Sequence, residues 1–509
     1  MSCAAIHISS VVQIASAGET QEPLRLASCM AAESPIYVYV SNDETSIYYS
    51  KSLNVLLAKI QEKEPLKIDA SSLSFLLQDG VIPSPKSIYK SLYILSIGNI
   101  FTAINRNKRW QCHFDYHFPF EANTEHKVAL PRKQRDNQLL ALLASSIERR
   151  APEGKPLTLF HSAGKDSNTI ALALAEAGRS KHVTSFTYRA VGANDESELV
   201  AGICKKLGFK HHIADVDALS ASVVKARLSA YFKQANMPCM DNASLLYPLF
   251  SNALSAGSNI IDGMGNDVYI GHVPGKAEYK RQKFQMSTAL LSKCMKPALG
   301  TFHYQSLSKT KAHISGLSGI SSLELEKIFP AHKDTYAFWQ NLSQAYAHTD
   351  YFEFRAKVRG GLIDTEKFVR KLRVASDRYA WNLFLPWMDE DVAQFVHAIP
   401  EAQRFDRQRL KNKLFLRDLL KEKLTLDSDQ LGKMGFAFDH YSLLQSVENY
   451  VRENILSCSA WHHQEIESYL AIVQKGAASA NKYQAHWQLR LYRLFVISAW
   501  LNHRQLKVG

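Results

Sequence analysis

From about residue 131 onward, strand-forming runs alternate with helical ones, which predicts an α/β fold built on a doubly wound parallel sheet. Three stretches carry that prediction. Pro156 to His161 is a short apolar run that passes without a gap into Ser162, Ala163, Gly164, Lys165, Asp166 and Ser167, and from Asn168 into an Ala/Leu-rich helix ending at Gly178. Val183 to Tyr188 repeats the strand, Ser197 to Leu207 repeats the helix with Gly208 as its C-cap, and Ile213 begins a third strand. Ser258 to Gly271, SNIIDGMGNDVYIG, is a further apolar strand running into small residues and a carboxylate. In sheets of this kind ligands bind at the C-terminal strand ends. We therefore divide the chain into a smaller α+β unit over residues 1–130 and a larger α/β unit over residues 131–509.

Within the smaller unit, residues 1 to about 30 show no strong period and are expected to be loosely ordered. Ile36 to Tyr49, IYVYVSNDETSIYY, reads as a hairpin turning at Ser41 to Glu44. Lys51 to Ala58 and Ser71 to Leu77 read as short helices, Val81 to Lys90 as a proline-broken connector, and Ser91 to Ile104 and Trp110 to Phe118 as strands. In the larger unit DNQLLALLASSIERR is a helix leading into the first strand, and the Tyr/Leu/Trp pattern from Tyr483 to Trp500 is a core helix.

Composition bounds the function. A chain of 509 residues with 46% hydrophobic content has room for two or three domains with a sizeable core. No run approaches the roughly 18 apolar residues of a membrane span, and the N-terminus lacks the basic region of a secretory signal. Seven cysteines without CxxC pairs or clustered histidines predict reduced thiols in a cytoplasmic protein and no zinc site. The net charge of +13 comes from scattered lysines and arginines, with KRQK at Lys280 to Lys283 the one tight cluster. That distribution favours a solvated basic face over a nucleic-acid or membrane partner.

The chemistry-bearing stretch is Ser162 to Ser167. A strand end, a tight loop of small residues and a helix N-terminus offer backbone N–H groups and a positive dipole end to an anion. Ala163 and Gly164 let the backbone approach a pyrophosphate, and beside a bound ATP Asp166 is placed to hold the Mg²⁺ that bridges phosphate oxygens. Gly263, Met264 and Gly265 form a second strand-end loop, and Asp267 supplies a second carboxylate that can share that metal. Lys413 and Arg417, four apart in KLFLRDLL, are expected on one helix face. Lys433, between Gly432 and Met434–Gly435, sits in a loop able to close on a neighbouring site. The acids Asp195, Glu196 and Glu198 stand at a helix N-terminus, where carboxylates are favoured whether or not they meet a ligand.

The SAGKDS string resembles the SGGxDS pyrophosphate loop of the ATP pyrophosphatases, with Ala163 in place of the usual second glycine. That superfamily, which shares the adenine nucleotide α hydrolase-like fold, splits ATP between the α and β phosphates and includes asparagine synthetase, β-lactam synthetases, lasso-peptide cyclases and tRNA-modifying enzymes. DGMGND resembles the family's second loop, so the resemblance pairs Asp267 with Asp166 across the ATP and puts Phe186 and Thr187 at the adenine. Met264 stands where asparagine synthetase has Glu and β-lactam synthetases have Tyr, and Met cannot take a proton. The segment ending Pro386, Trp387, Met388, Asp389 is similar to an architectural PFLD segment. By the same resemblance Lys413 reaches ATP phosphates and Lys433 is the catalytic lysine, stabilising charge that develops in the transition state.

Pro35 to Ala58 and Asp79 to Ala103 resemble the second half of a glutamine amidotransferase domain, an N-terminal-nucleophile fold, with Ser at position 2 and Cys3 after it where the nucleophilic cysteine would follow Met1. The resemblance thus implies a truncated module without glutaminase activity, joined to an ATP-dependent, AMP-forming amide synthetase with ATP and Mg²⁺ as its cofactors. Carboxylate and amine substrates, small molecules or peptides, are the expected partners. The basic, helix-prone section 272–350 carries no site signature; a family-specific insertion and a contact surface for a carrier protein or leader peptide are its alternative readings. A tRNA-modifying enzyme and a non-catalytic ATP-binding scaffold are the competing readings.

Overall fold

The computed structural model describes residues 10–18, 22–120, 129–151, 154–189, 195–216, 218–284, 309–430 and 438–508. Its first part contains two antiparallel sheets. One has the order β1-β4-β3-β5, from Gln13–Ser16 (β1), Ile36–Val40 (β3), Ser46–Ser50 (β4) and Leu92–Leu95 (β5). The other, β2-β6-β7, comes from Leu24–Ala27 (β2), Asn99–Arg106 (β6) and Arg109–Tyr116 (β7). Leu26, Phe101 and Trp110 of the second sheet bury against Val38, Ile47 and Leu95 of the first. The far face of the first sheet is covered by α1 (Leu53–Gln61) and α2 (Ala70–Gln78), which is why every residue of β3 is buried. Ser52 and Asp69 cap these helices by accepting from the Val55 and Ser72 amides.

The hairpin, both short helices and the later strands lie where the sequence places them. The expectation of loose order up to residue 30 does not hold, because β1 pairs with β4 and β2 with β6. A four-residue strand is too short to show a period; its order comes from partners thirty residues or more away in the chain.

The second part is organised by a five-stranded, all-parallel sheet of order β10-β9-β8-β11-β12. Its strands are Leu157–Phe160 (β8), Val183–Arg189 (β9), Lys210–Asp215 (β10), Asn259–Ile261 (β11) and Asn382–Phe384 (β12). The chain enters through α3 (Arg132–Glu148), then moves outward through β8, α4 (Lys165–Glu176), β9, α5 (Ser197–Leu207), β10 and α6 (Ala221–Gln234). It returns through α7 (Leu246–Phe250) to place β11 on the opposite side of β8, so winding reverses between β8 and β11. That reversal leaves a crevice where the loops after these two strands part. Gly208 ends α5 at φ 73°, the left-handed C-cap that glycine adopts without strain.

Two details differ from the sequence reading. Helix α4 starts at Lys165, so Lys165, Asp166 and Ser167 form its first turn and only Ser162 to Gly164 are loop. Strand β10 begins at Lys210; its first residues, Lys-His-His, are polar and conceal the start. Beyond β11 come α8 (Asp267–Ile270) and a helix of wide π turns, Arg355–Val369, which packs on α8 and runs on as Arg370–Tyr379. The C-terminal helix Gln484–Arg504 is buried from Leu491 to Leu501, as the Tyr/Leu/Trp pattern predicts. Its fully buried Arg493 reaches α2, donating from Nη1 to the Leu77 carbonyl at 3.0 Å. No described helix is long and apolar enough to cross a membrane.

Candidate active site

At the C-terminal ends of β8, β9 and β11 lies a cavity of about 510 Å³. Its lining includes Ser162, Gly164, Asp166, Ser167, Phe186, Thr187, Gly263, Met264, Gly265 and Asp267, so residues singled out in three separate stretches meet in one place. Ala163 is buried beside them.

The loop after β8 is held from within. The Ser162 amide donates to Ser167 Oγ at 3.3 Å, and Ser167 Oγ donates back to the Ser162 carbonyl at 3.0 Å. Asn168 Nδ2 donates to the carbonyls of Ser162 at 3.1 Å and Gly164 at 2.7 Å. With its amide donors committed, Asn168 presents Oδ1 to His161 Nε2 at 3.0 Å, which fixes the proton on Nε2 and leaves Nδ1 facing Ser185 Oγ at 2.9 Å. Burial pushes His161 down to about 4, so it stays neutral and serves as a brace. The sequence reading missed His161 and Asn168, whose contact runs across the turn from the end of β8 to the first turns of α4.

Contact between the two loops requires Gly263. A Cβ there would lie 2.9 Å from the Ser167 amide nitrogen and 3.2 Å from the Asp166 carbonyl carbon. Gly265, at φ 108°, takes a conformation that favours glycine and lies against the Met388 side chain. Trp387 Nε1 donates to the Asp166 carbonyl at 3.2 Å, and Asp389 caps the helix Glu390–Ala398 by accepting from Asp391 and Val392. The Pro386–Asp389 segment thus buttresses both loops, in keeping with an architectural role.

Across these loops the charges converge. Asp166 Oδ1 accepts from Asn266 Nδ2 at 2.6 Å, and its Oδ2 accepts from Lys413 Nζ at 2.7 Å. The same ammonium lies 2.9 Å from Asp267 Oδ1. Burial would lower Lys413, but the Asp166 and Asp267 carboxylates hold it above the ordinary ammonium range. Burial would raise Asp267, yet Lys413, His272 and Lys165 together bring it to about 2. Lys165 is pushed down to about 8 by burial, with Arg417 and Lys413 adding to the effect.

Lys413 does not share a helix face with Arg417 as expected. It sits before the helix Leu414–Leu424 in the left-handed region at φ 55°, which turns its side chain toward the two carboxylates. Arg417 instead donates to the Asn412 carbonyl and pairs with Asp429. A small hairpin, Phe405–Asp406 with Lys411–Asn412, immediately precedes Lys413 and sets this turn. Lys433 lies outside the described residues.

Phe186 stacks on His212 with centroids 4.9 Å apart, and Thr187 Oγ1 donates to the His161 carbonyl at 3.0 Å. Of the acids after β9, Glu196 reaches the first loop: its Oε2 accepts from the Ala163 amide at 2.6 Å. Asp195 caps Ser197, and Glu198 lies 3.8 Å from Arg189 at the surface.

The far wall of the cavity is formed by the wide-turn helix. Arg355 and Arg359 line it, but both are committed to protein partners. Arg355 donates to the His272 carbonyl and to Glu278, and Arg359 to Asp364 and to the Ser315 carbonyl. His272 lies between Asp364 and Arg355, with the two ring nitrogens facing one partner each.

A stretch of 182 residues, 35% of the chain, is 28% identical to a protein of Methanocaldococcus jannaschii named "Putative asparagine synthetase, glutamine-hydrolyzing, 2" and spans about a third (33%) of that protein's length. The family model Asparagine synthase matches residues 138–502, which run from α3 through every loop of the cavity into the C-terminal helix, and the chain belongs to that family.

Proposed function

We propose that the protein forms amide bonds through an acyl adenylate, releasing AMP and pyrophosphate. ATP-dependent amide-bond formation is the chemistry of the family; the adenylate route and the residue roles are our reading. The observation that carries it is the convergence of a helix-start anion loop, two carboxylates and a buried lysine at one crevice of a parallel sheet.

The amides around Ser162 to Ser167 and the start of α4 take the β and γ phosphates. Phe186 and Thr187 of β9, which line the cavity, form the adenine side. Asp166 and Asp267 have hard oxygen donors converging on a single cation position, which fits Mg²⁺ completed by phosphate oxygens. Bound there, Mg²⁺ would neutralise charge on the departing pyrophosphate. A substrate carboxylate oxygen attacks the α phosphorus and the α–β phosphoanhydride bond breaks. The amine nitrogen then attacks the acyl carbon, and AMP leaves with the bonding electrons. Lys413, freed from one carboxylate, offers its ammonium to phosphate oxygens as charge builds; we assign the same role to Lys433.

Met264 at the cavity wall cannot accept the amine's proton, so the amine arrives neutral or loses its proton to another group. We propose that the amine comes from the substrate itself, a second substrate or ammonia. Among the described cysteines, burial pushes Cys458 up to about 11 and Cys239 to about 12, and raises Cys204. None of these thiols is poised as a thiolate nucleophile.

The test is product analysis. Incubating the protein with ATP and a panel of carboxylates and amines is expected to yield AMP and pyrophosphate, with Asp166→Asn and Asp267→Asn inactive. ADP and phosphate as products would refute the adenylate route, and no turnover with any pair would favour a nucleotide-binding scaffold.

A further inference from the structure

Two contacts in the cavity are pairings the protein makes with itself at the positions a nucleotide and its metal would take. The Ala163 amide, part of the anion-facing loop, is occupied by Glu196 Oε2 at 2.6 Å. Glu196 comes from the start of α5, so its carboxylate reaches from the β9 end across to the loop after β8. The space between Asp166 and Asp267 is occupied by Lys413 Nζ, 2.7 Å from one and 2.9 Å from the other. Both contacts border the same cavity.

This arrangement has electrostatic consequences. A free divalent cation reaching Asp166 and Asp267 must displace an ammonium that both carboxylates already neutralise. Among the described residues no third His, Cys, Asp or Glu completes a metal site, so phosphate oxygens have to supply the rest of the shell. A metal-free triphosphate meets the reverse obstacle: Glu196 holds a loop amide, and two bare carboxylates face the phosphates once Lys413 turns to them. Only the metal–nucleotide complex brings an anion for the loop and a cation for the carboxylates together.

We propose that Glu196 and Lys413 are built-in substitutes for phosphate and metal, which fill the anion and cation positions of the empty site and make metal and nucleotide bind as one unit. On binding, Glu196 releases the Ala163 amide, and Lys413 leaves the gap between the carboxylates for the phosphate oxygens. Glu196 is thereby a positioning residue for the reaction, whereas Lys413 meets the phosphates directly. The inference rests on the nucleotide-binding reading above.

The test reads binding, not turnover. Mn²⁺ followed by electron paramagnetic resonance is titrated into the wild-type protein alone and with a non-hydrolysable ATP analogue. The expectation is weak binding alone and binding about 100-fold tighter with the analogue, a coupling of about 2.7 kcal/mol. Lys413→Met is expected to bind Mn²⁺ without nucleotide about tenfold tighter than wild type, and Glu196→Gln to bind metal-free pyrophosphate about tenfold tighter. Equal Mn²⁺ affinity with and without the analogue would overturn the proposal, and the wild-type measurement needs no variant to fold. Unchanged affinities in both variants, with melting temperatures near wild type, would overturn it as well. If neither Mn²⁺ nor the analogue binds wild type under any condition, the nucleotide reading falls and takes this inference with it. Binding without coupling defeats the inference alone.

Discussion

Gly263→Ala adds one methyl group where the two strand-end loops touch. The new Cβ would lie 2.9 Å from the Ser167 nitrogen, 3.2 Å from the Asp166 carbonyl carbon and 3.3 Å from the Asp166 Cβ. These neighbours are backbone and a Cβ in the first turn of α4, so no flexible side-chain end can swing aside. Relief requires the loops to separate by roughly half an ångström, and overpacking of this kind costs about 1–3 kcal/mol. Separation also pulls Asp166 away from Asp267, and Lys413 cannot keep both of its contacts, at 2.7 and 2.9 Å. We expect nucleotide affinity in Gly263→Ala to fall about 10- to 100-fold, measured by calorimetry with a non-hydrolysable analogue, with a melting temperature lower by a few degrees. Wild-type affinity and melting temperature in this variant would refute the claim that close contact of these loops assembles the site.

Other outcomes follow from the same structure. Asn168→Leu removes two donors to loop carbonyls and leaves the buried His161 Nε2–H without an acceptor. It should lose about 2–4 kcal/mol in denaturant melts together with nucleotide affinity. His161 titrates near 4 in the fold against 6.5 for a free imidazole, so its contribution is complete above pH 6.5 and lost as pH falls toward 4. His161→Gln does not titrate, and the stability gap between it and wild type should narrow by at most about 3 kcal/mol over that window. Asp79, at the end of α2, accepts from Trp339 Nε1 at 2.8 Å and from Thr335, and burial pushes its carboxyl up to about 7. Because this pKa is raised, its contribution is present at acid pH and lost as pH rises through 7. Asp79→Asn should therefore remove the fall in wild-type melting temperature as pH rises from about 4 to 7. Gly319→Ala would place a Cβ within 2.3 Å of the Leu77 and Gln78 carbonyl oxygens and against Arg493, and should destabilise the packing of α2 on the C-terminal helix.

The parallel sheet was legible because local patterns carried it: apolar runs, small-residue loops and helical periods recur at βαβ spacing. Asp166 and Asp267 were legible as a pair because both follow apolar strands and small residues. Local pattern failed where geometry comes from distant partners. The strands at Gln13–Ser16 and Leu24–Ala27 are ordered by β4 and β6, which no short window contains. Lys413 reads as helical beside Arg417, but the hairpin before it forces φ to 55° and turns the two side chains apart. The reach of Glu196 to the Ala163 amide depends on the stagger of two neighbouring strand ends, and nothing in NDESE tells that acid from Glu198. Trp387 and Met388 appeared as an architectural segment, but their contacts with the Asp166 carbonyl and Gly265 exist only once β12 joins the sheet beside β11.

The central claim is that a substrate carboxylate attacks the α phosphorus of ATP at the crevice between β8 and β11. Carboxylate-dependent exchange of labelled pyrophosphate into ATP tests this most directly, because only a reversible adenylation step moves the label. Across a panel of amino acids and short peptides, we predict exchange that one class of carboxylate switches on and that Asp166→Asn abolishes. Exchange that persists in Asp166→Asn, or ATP cleavage to ADP without exchange, would contradict the account.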